Sequence, residues 1–544
     1  MHELAAELHA AWPPLTPNLH ALDFEGGRVQ LLLALGEVTR LLPALRAEPD
    51  AFFLDGFAPV RDPQVWQPRL LKALGRMAAP GATLATWSVA SELRHGLVSA
   101  GFDVQAGHGK GGQHEITLAR YAPRFERPRR PGAAAAAAGS EAVVIGAGIA
   151  GAAAAKALLQ AGLQVTVVDT QSVPAAQASG NPAGLFHGTV HPHDGPHARL
   201  FRAAALMAQR DYGAAFNTGA VAGNAAGLLR LGDRLPAMQA LLREQGLPSG
   251  YVQALDAAAS SALAGVPLPG PAWFYPGAGW LAAADWVRLQ LSQPGLRWRP
   301  NTAVAALSRG GQGWLLHDAQ GRTIADVPIV VLANAAGVVP LVAQLGHAPW
   351  PLQHSRGQVT LWTQASAARL RMPVAGDGYA IPMAADGSLL CGATREAGEP
   401  STDPDIDGGS APLRAADDRH NIDRLKRLTG LIAPAEPARW SGRAGWRLQT
   451  ADRLPIAGAL PASTMPFGQR LDQGRLLPRE SGLFVLTALG ARGLTLAPLL
   501  GRLVAAQASG APWPLEQDLA DAIDPARWLV RADRRPGTNN GSQA

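Results

Sequence analysis

Short apolar runs alternate with segments of helical spacing and divide the chain into two α/β regions. In the first region, Ala51 to Leu54 is an apolar run that predicts a buried strand, and Asp55 follows it. The elements predicted after it are a helix over 68–78, a strand over 82–87, a helix over 91–100 and a strand over 115–119. Ligands in open α/β sheets lie outside the carboxyl ends of the strands, so Asp55 is a candidate catalytic residue.

The second region begins with a strand over 142–145, a glycine-rich turn, a helix over 150–161 and a strand over 164–168. Short strands and helices mix through the middle of the chain, as in a domain that covers a substrate. A strand over 482–487 and a helix over 494–506 restore the α/β pattern near the end. The pattern predicts an α/β fold in which a nucleotide-binding domain carries a mixed α+β substrate domain.

Between the two regions, residues 121–140 (YAPRFERPRRPGAAAAAAGS) have the proline, arginine and small-residue content of an interdomain linker. We therefore predict a first domain over 1–120 and a second over 141–530, with a disordered tail over 531–544. Within the second domain, 141–221 and 440–530 are predicted to bind the nucleotide and 222–439 to cover the substrate. Arginines lie in and beside the linker and either contact nucleic-acid phosphates or are simply solvated: Arg120, Arg124, Arg127, Arg129 and Arg130.

Composition narrows the class of protein. The formal charge of +6 and the isoelectric point of 9.9 are compatible with a polyanionic partner but do not require one. The single cysteine, Cys391, excludes an intrachain disulfide and a multi-cysteine zinc site. No signal peptide or uninterrupted membrane span is evident, which predicts a cytosolic chain without a membrane partner, and a monomer is favoured.

The glycine-rich turn has the spacing of a dinucleotide-binding fingerprint. Gly146 permits the tight turn, Gly148 lets a pyrophosphate approach the backbone, and Gly151 lets the helix pack closely on the strand. Asp169 ends the next strand, where a carboxylate can hold ribose hydroxyls. Strand, glycines, helix, strand and acid together predict a dinucleotide site in a Rossmann-type domain.

Two further segments favour FAD over NAD. The stretch 178–181 (ASGN) follows the second strand, where small polar residues can lie near a pyrophosphate. The stretch 489–495 (LGARGLT) joins a strand to a helix, whose N-terminus can stabilise negative charge on a reduced flavin. Taken alone, the glycine pair in this second stretch is equally compatible with an ordinary turn.

At these motifs the sequence resembles the D-amino-acid-oxidase-like flavoproteins, glycine oxidase in particular, from Glu141 to about Trp528. The matching strings are VVIGAGIAG (143–151), ASGNPAG (178–184), VVLANAAG (330–337), RGQ (356–358), DGYAIP (377–382), GWRLQTADRLPIAG (445–458) and ALGARGLTLAP (488–498). The resemblance implies an FAD cofactor. Beyond the fingerprint, the residues that it assigns to FAD binding are Ser179, Gly180, Asn181, Gly184, Ala333, Gly490, Arg492, Gly493 and Leu494.

The first region, with FLDGFAP at 53–59 and a tryptophan-containing helical segment after it, resembles the methyltransferase domain of the MnmC family of bifunctional tRNA wobble-uridine enzymes. That domain begins with a strand and a glycine-rich turn that cradle S-adenosylmethionine. No such turn precedes Asp55, and Gly26-Gly27 is a lone pair. We therefore interpret this domain as truncated or its start codon as misplaced, and we do not expect S-adenosylmethionine to bind it.

The resemblance implies that the flavin half removes the carboxymethyl group from 5-carboxymethylaminomethyluridine at the wobble position of tRNA. Arg447 matches the carboxylate-binding arginine of glycine oxidase, Tyr379 matches the tyrosine that assists it, and Arg492 lies near the same pocket. Two alternatives stay open: an oxidase of free glycine-like amines, and a flavin-containing tRNA-binding scaffold without activity.

A histidine-rich stretch follows the ASGNPAG string: His187, His191, His193 and His197. The irregular spacing and the lack of a recurring acidic partner argue against a zinc site, and no metal is expected. Related sequences tend to carry an aromatic–proline pair where this chain has His187-Gly188, so the roof of the pocket is expected to differ.

Overall fold

The computed structural model describes residues 2–56, 61, 66–109, 114–125, 136–363, 369–383, 387–400, 411–433, 440–464 and 473–533. Half of the predicted linker (126–135), the residues after 533 and the end of the FLDGFAP string lie outside the described residues, and so do Arg127, Arg129 and Arg130.

The first region contains two small sheets. In chain order its elements are α1 (His2–Ala11), β1 (Leu19–Phe24), β2 (Val29–Ala34), α2 (Val38–Ala44), β3 (Ala51–Leu54), α3 (Pro68–Met77), β4 (Thr83–Thr86), α4 (Ser91–Ser99), β5 (Phe102–His108) and β6 (Glu115–Tyr121). The larger sheet has the order β3-β4-β6-β5, with β3 parallel to β4 and the remaining pairs antiparallel. Every element predicted for this region is present, within one or two residues at each boundary.

Among the described residues, one face of this four-stranded sheet is covered and the other is exposed. Phe52 and Leu84 are buried against Leu71 of α3 and Leu97 of α4. On the opposite face, Phe53 is 84% exposed. The strand β3 lies at the edge of the sheet, and among the described residues no strand pairs with its free side.

The antiparallel hairpin β1–β2 packs on the second region instead of on the four-stranded sheet. Both guanidinium nitrogens of Arg502 donate hydrogen bonds to the carboxylate of Asp23 at 2.6 Å, and Ala21 is buried in the core of the second region. The backbone N–H of Trp513 donates to the carbonyl of Arg46 at 2.8 Å. These contacts join the first region to Arg502 and Trp513 of the second region.

The second region supplies the remaining helices and strands. They are β7 (Glu141–Ile145), α5 (Ile149–Gln160), β8 (Gln164–Val168), β9 (Gly184–Phe186), α6 (Pro196–Asn217), β10 (Gly223–Asn224), β11 (Leu228–Leu231), α7 (Leu235–Gln245), β12 (Gln253–Leu255), α8 (Ala257–Ala264), β13 (Ala272–Tyr275), β14 (Gly279–Leu281), α9 (Ala283–Leu291), β15 (Leu296–Arg299), β16 (Ala306–Arg309), β17 (Trp314–His317), β18 (Thr323–Val327), β19 (Ile329–Leu332), α10 (Val338–Gln344), β20 (Leu352–Trp362), β21 (Val374–Gly376), β22 (Gly378–Met383), β23 (Ser388–Gly392), β24 (Glu396–Ala397), α11 (Ala415–Thr429), β25 (Trp440–Thr450), β26 (Ile456–Pro461), β27 (Arg479–Thr487), α12 (Gly493–Ser509), α13 (Gln517–Ile523) and α14 (Arg527–Asp533).

A six-stranded sheet of order β15-β8-β7-β19-β27-β26 forms the centre of this region, and only β26 runs antiparallel to its neighbour. Its central strands β7 and β19 are almost continuously apolar, as expected for parallel strands that are buried on both faces. The predicted α/β fold is confirmed. Two of the strands, β15 and β19, come from the segment predicted to cover the substrate, so the nucleotide-binding sheet draws on three separate stretches of sequence.

The alanine-rich helix α5 packs on this sheet and against α12, which also contacts the sheet. Four consecutive alanines, Ala152 to Ala155, are at most 2% exposed. A Cβ atom at Gly501 of α12 would lie 2.6 Å from the backbone of Ala153, so the helices touch backbone to backbone. Small side chains on α5 are therefore a requirement of this packing.

A nine-stranded mixed sheet covers the carboxyl ends of the six-stranded one. Its order is β12-β13-β11-β21-β22-β23-β20-β24, and β25 pairs with β20 along its whole length, from Leu352–Thr450 to Trp362–Trp440. The strand β25 lies in the segment predicted to bind the nucleotide, yet it pairs here. Helix α11 packs on the outer face of the sheet through Leu425 and Leu428.

Candidate active site

The glycine-rich turn is held in shape by backbone contacts. Gly146 adopts a φ of +110°, and a Cβ atom on it would lie 2.6 Å from the carbonyl oxygen of Ala333. A Cβ atom on Gly151 would lie 1.7 Å from the carbonyl oxygen of Gly146, which leaves room for glycine alone. The N–H of Ala147 donates to Asp169 Oδ2 at 2.6 Å. The turn therefore delivers the N-terminus of α5 next to the carboxylate that ends β8.

The loop before β9 closes over this helix N-terminus. Ser179 Oγ accepts a hydrogen bond from the N–H of Ile149 at 3.0 Å. On its far side the loop is clamped by Arg443 of β25, which donates to the carbonyls of Ala176 (2.8 Å) and Gln177 (2.6 Å). A Cβ atom on Gly180 would lie 2.2 Å from the Arg443 guanidinium, so glycine is needed there too. Sequence reasoning missed Arg443, because nothing local marks it as a loop clamp.

The segment between β27 and α12 forms the opposite wall. Gly490 has a φ of +58°, and α12 begins at Gly493. The hydroxyl of Tyr212 donates to the carbonyl of Leu494 at 2.6 Å, which fixes the first turn of the helix. A Cβ atom on Gly184 would lie 2.5 Å from a methyl carbon of Leu494, so this wall packs tightly on β9.

These walls enclose one elongated cavity of about 670 Å³. Most residues selected from the sequence line it: Gly146, Gly148, Asp169, Ser179, Asn181, Gly184, Ala333, Tyr379, Arg447, Gly490, Arg492, Gly493 and Leu494. Gly151 and Gly180 are not in its lining and instead permit the close packing behind it. Asp55 lies elsewhere, exposed at the end of β3 in the other sheet, so the structure does not bring it together with the other candidate catalytic residues.

At the end of the cavity away from the glycine-rich turn, Arg447 and Tyr379 face the same space. The Arg447 guanidinium lies over the backbone of β20, where a Cβ atom on Gly357 would be 2.5 Å from its Cζ atom. Its one hydrogen bond among the described residues is a long one, 3.4 Å to the carbonyl of Thr394. Burial raises the pKa of Tyr379, and the nearby charge of Arg447 opposes that shift. The tyrosine is thus a neutral hydrogen-bond donor beside a guanidinium whose hydrogen-bonding capacity is largely unused.

Arg492 and His187 form a coupled pair in the same cavity. Arg492 Nη1 lies 2.5 Å from His187 Nε2, and His187 Nδ1 lies 2.6 Å from the carbonyl oxygen of Gly188. Burial and the Arg492 charge keep the pKa of His187 well below its usual value, so the ring is neutral. The carbonyl then requires a proton on Nδ1, and Nε2 accepts from Arg492. Burial, with a further contribution from Arg230, lowers the pKa of Arg492 to about 10.

Besides Arg447 and Arg492, the cavity lining contains Arg230 and Arg395, and sequence reasoning missed both. Arg395 donates a hydrogen bond to Gln449, whereas Arg230 is in no ion pair of the described residues. Arg230 lies on β11, and the only hint in the sequence is a charge within the apolar string LLRL. The described part of the chain contains no cluster of three histidine, cysteine or acidic side chains able to hold a metal ion. Within the described residues, no helix is both long enough and apolar enough to span a membrane.

Comparison with known proteins assigns the chain to a family. Residues 141–507 match the family model of FAD-dependent oxidoreductases, and residues 1–122 match a family of S-adenosyl-L-methionine-dependent methyltransferases. The tRNA 5-methylaminomethyl-2-thiouridine biosynthesis bifunctional protein MnmC of Methylibium petroleiphilum is 49% identical over 543 residues, which is 97% of this chain and 82% of the relative. The chain belongs to the MnmC family. The MnmC protein of Paraburkholderia phytofirmans is 39% identical over 98% of the chain and 82% of its own length.

Solved structures agree with the fold of the second region of the chain. Glycine oxidase from Geobacillus kaustophilus superimposes with a TM-score of 0.52 at 21% identity, over 68% of this chain and 95% of its own. Iminodiacetate oxidase from Chelativorans gives the same TM-score at 22% identity, over 68% and 96%. The MnmC family assignment and this fold make the chain an FAD-dependent oxidoreductase with a methyltransferase-like region before it.

Proposed function

We propose that the chain removes the carboxymethyl group from 5-carboxymethylaminomethyluridine, or its 2-thio form, at the wobble position of cytoplasmic tRNA and leaves the 5-aminomethyl base. The observation that carries the proposal is the single cavity that joins the glycine-rich turn to Arg447 and Tyr379. A dinucleotide and a carboxylate-bearing amine would therefore meet inside one enclosure.

The residues at the first end of the cavity fit FAD. The N-terminus of α5 offers unpaired N–H groups to a pyrophosphate, and Gly148 leaves its approach free, since only Ser179 Oγ would come within 3.2 Å of a Cβ atom there. Asp169, at the end of β8, would accept hydrogen bonds from ribose hydroxyls. The N-terminus of α12 at Gly493 would lie toward the flavin and favour its reduced, anionic form. When bound, FAD supplies the acceptor for a hydride from the carbon between the nitrogen and the carboxylate.

Arg447 and Tyr379 would hold the substrate carboxylate. A guanidinium offers two parallel N–H groups to a carboxylate, and the neutral tyrosine adds an O–H donor. Water then adds across the resulting carbon–nitrogen double bond, and the products are the 5-aminomethyl base and glyoxylate. Holding the carboxylate fixes the carbon that is oxidised, because that carbon is bonded directly to the anchored group.

The charges in the cavity favour the reactive form of the amine. Oxidation needs the nitrogen lone pair, so the amine must be neutral. Asp169, at the nucleotide end, is the only carboxylate among the described residues that line the cavity, whereas Arg447 and Arg492 line it farther from that end. Nearby positive charges lower the pKa of a bound ammonium group. The chain therefore needs no dedicated base at the reacting nitrogen.

We infer that the first region by itself lacks a complete binding site for the methyl donor. Open α/β sheets bind ligands where the strand order reverses, in the crevice at the carboxyl ends of the strands. The strand β3, which ends just before Asp55, is an edge strand among the described residues, so no such crevice flanks it there. Accordingly, we propose that residues 2–125 alone bind S-adenosylmethionine weakly or not at all.

The experiment that tests the function uses purified chain and tRNA that carries 5-carboxymethylaminomethyluridine, with and without S-adenosylmethionine. Nucleosides are then identified by mass spectrometry. We expect conversion to the 5-aminomethyl form in both samples, and no turnover of glycine or N-methylglycine at a comparable kcat/KM. Equal activity on the free amines would replace the tRNA proposal with a small-amine oxidase, and a methylated product would contradict the proposal for the first region.

A further inference from the structure

Arg230 lies at a defined distance from Tyr379 across the nine-stranded sheet. In the strand register, Arg230 of β11 is opposite Ala375 of β21, and Ala375 is opposite Tyr379 of β22. Residues opposite one another in register point to the same face of a sheet, and two strand spacings separate their Cα atoms by about 10 Å. Ala375 between them is small and lines the cavity. The side chains of Arg230 and Tyr379 thus lie on either side of a small residue in the cavity wall, with space between them.

Arg230 belongs to the electrostatic surroundings of Arg492. The Arg230 charge helps to lower the pKa of Arg492 and that of His187, whereas the Arg447 charge acts on Tyr379. No ion pair of the described residues includes Arg230 or Arg492. Two guanidiniums that have no carboxylate partner among the described residues repel each other, and a bound anion would relieve that repulsion.

The His187 ring orients Arg492 toward this anion position. Neutral His187 donates its Nδ1–H to the carbonyl of Gly188, so its Nε2 accepts one N–H of Arg492. The remaining N–H groups of that guanidinium can then donate to a ligand. Tyr275 lies behind the pair, with its ring 5.7 Å from the His187 ring. A phenyl ring in place of the His187 imidazole would lack the Nε2 acceptor.

We propose that Arg230 and Arg492 form a second anion subsite, separate from the carboxylate anchor of Arg447 and Tyr379. The inference rests on the proposed function, since it describes the other substituent of the amine that is oxidised. The subsite binds a negative group on that substituent: a backbone phosphate when the substrate is a polynucleotide, or a second carboxylate when it is a small amino diacid. It makes Arg230 a specificity-determining residue.

The test compares Arg230→Gln and Arg230→Lys with the wild type and with Arg234→Gln, a control on the exposed loop after β11. Four probes are used: a trinucleotide centred on 5-carboxymethylaminomethyluridine, the same nucleoside without phosphates, iminodiacetate and N-methylglycine. We expect Arg230→Gln to lower kcat/KM roughly 10- to 100-fold on the probes with a second anion, and less than about twofold on the nucleoside and N-methylglycine. Arg230→Lys should recover part of the loss.

Binding of the trinucleotide and of iminodiacetate is also measured by calorimetry, which reports on the subsite without turnover. A selective loss of trinucleotide binding in Arg230→Gln assigns the anion to phosphate, and a selective loss of iminodiacetate binding assigns it to a carboxylate; both support the subsite. Equal losses on all four probes, or no loss on any, overturn it. If the wild type binds these anions through Arg230 but leaves modified tRNA unchanged, the proposed function fails and the subsite stands.

Discussion

Replacement of Arg447 by glutamine would remove the proposed carboxylate anchor with little effect on the fold. Among the described residues this guanidinium makes one long hydrogen bond, 3.4 Å to the carbonyl of Thr394. Its loss should therefore lower the free energy of unfolding only slightly. The substrate, in contrast, would lose a paired, charge-assisted interaction. Such an interaction contributes about 3 kcal/mol, which corresponds to a roughly 100-fold lower kcat/KM.

The assay is the initial rate of glyoxylate release from tRNA that carries 5-carboxymethylaminomethyluridine, with flavin content and thermal stability measured in parallel. Arg322→Gln is a matched control, because Arg322 is exposed and pairs only locally with Asp318 and Gln320. An Arg447→Gln protein with full flavin content and a kcat/KM within about threefold of the wild type would refute the anchor. A general loss of stability would show that Arg447 has a structural role instead.

Three further predictions concern packing and charge. Gly151→Ala should abolish flavin retention because its Cβ atom would lie 1.7 Å from a carbonyl oxygen of the turn, whereas Gly213→Ala, with nothing within 4 Å, should leave flavin absorbance unchanged. Asp194→Asn should lower the free energy of unfolding by about 3 kcal/mol in urea titrations, since it leaves the buried Arg202 guanidinium without its charged partner. The pKa of buried His20 is lowered from 6.5 to about 4, so unfolded chains take up its proton first as the pH falls. Stability should therefore drop between pH 6.5 and 4, and His20→Gln should reduce that drop by about 3 kcal/mol.

The parts of the fold that were predicted from sequence depend on local spacing. The strand, turn and helix around Gly146 to Gly151 occupy the predicted positions, and Gly151 is required by a contact with Gly146 five residues earlier, whereas the close contact of Gly146 is with Ala333 in a distant segment. The strands β3, β4 and β27 and the helices α3, α4 and α12 were also predicted. Apolar runs and helical periodicity determine these elements within their own sequence segments.

What could not be predicted depends on strand register. The strands β15 and β19 join the nucleotide-binding sheet from the middle of the chain, and nothing in their own sequences distinguishes them from other short apolar strands. Arg230 reaches the cavity because β11 pairs with β21, and Arg443 clamps a loop more than 260 residues earlier in the chain. Side chains brought together by long-range pairing carry no local mark, which explains why two of the arginines that shape the site were missed.

The chemistry of the bound flavin tests the central claim most directly. The flavin-loaded chain is mixed anaerobically with tRNA that carries 5-carboxymethylaminomethyluridine, and the visible absorbance of the oxidised flavin is followed in time. We predict that this absorbance bleaches in a single turnover and that one glyoxylate forms per flavin reduced, while tRNA without the carboxymethyl group causes no bleaching. A flavin that stays oxidised in the presence of the modified tRNA, from protein with full flavin content, would contradict the account.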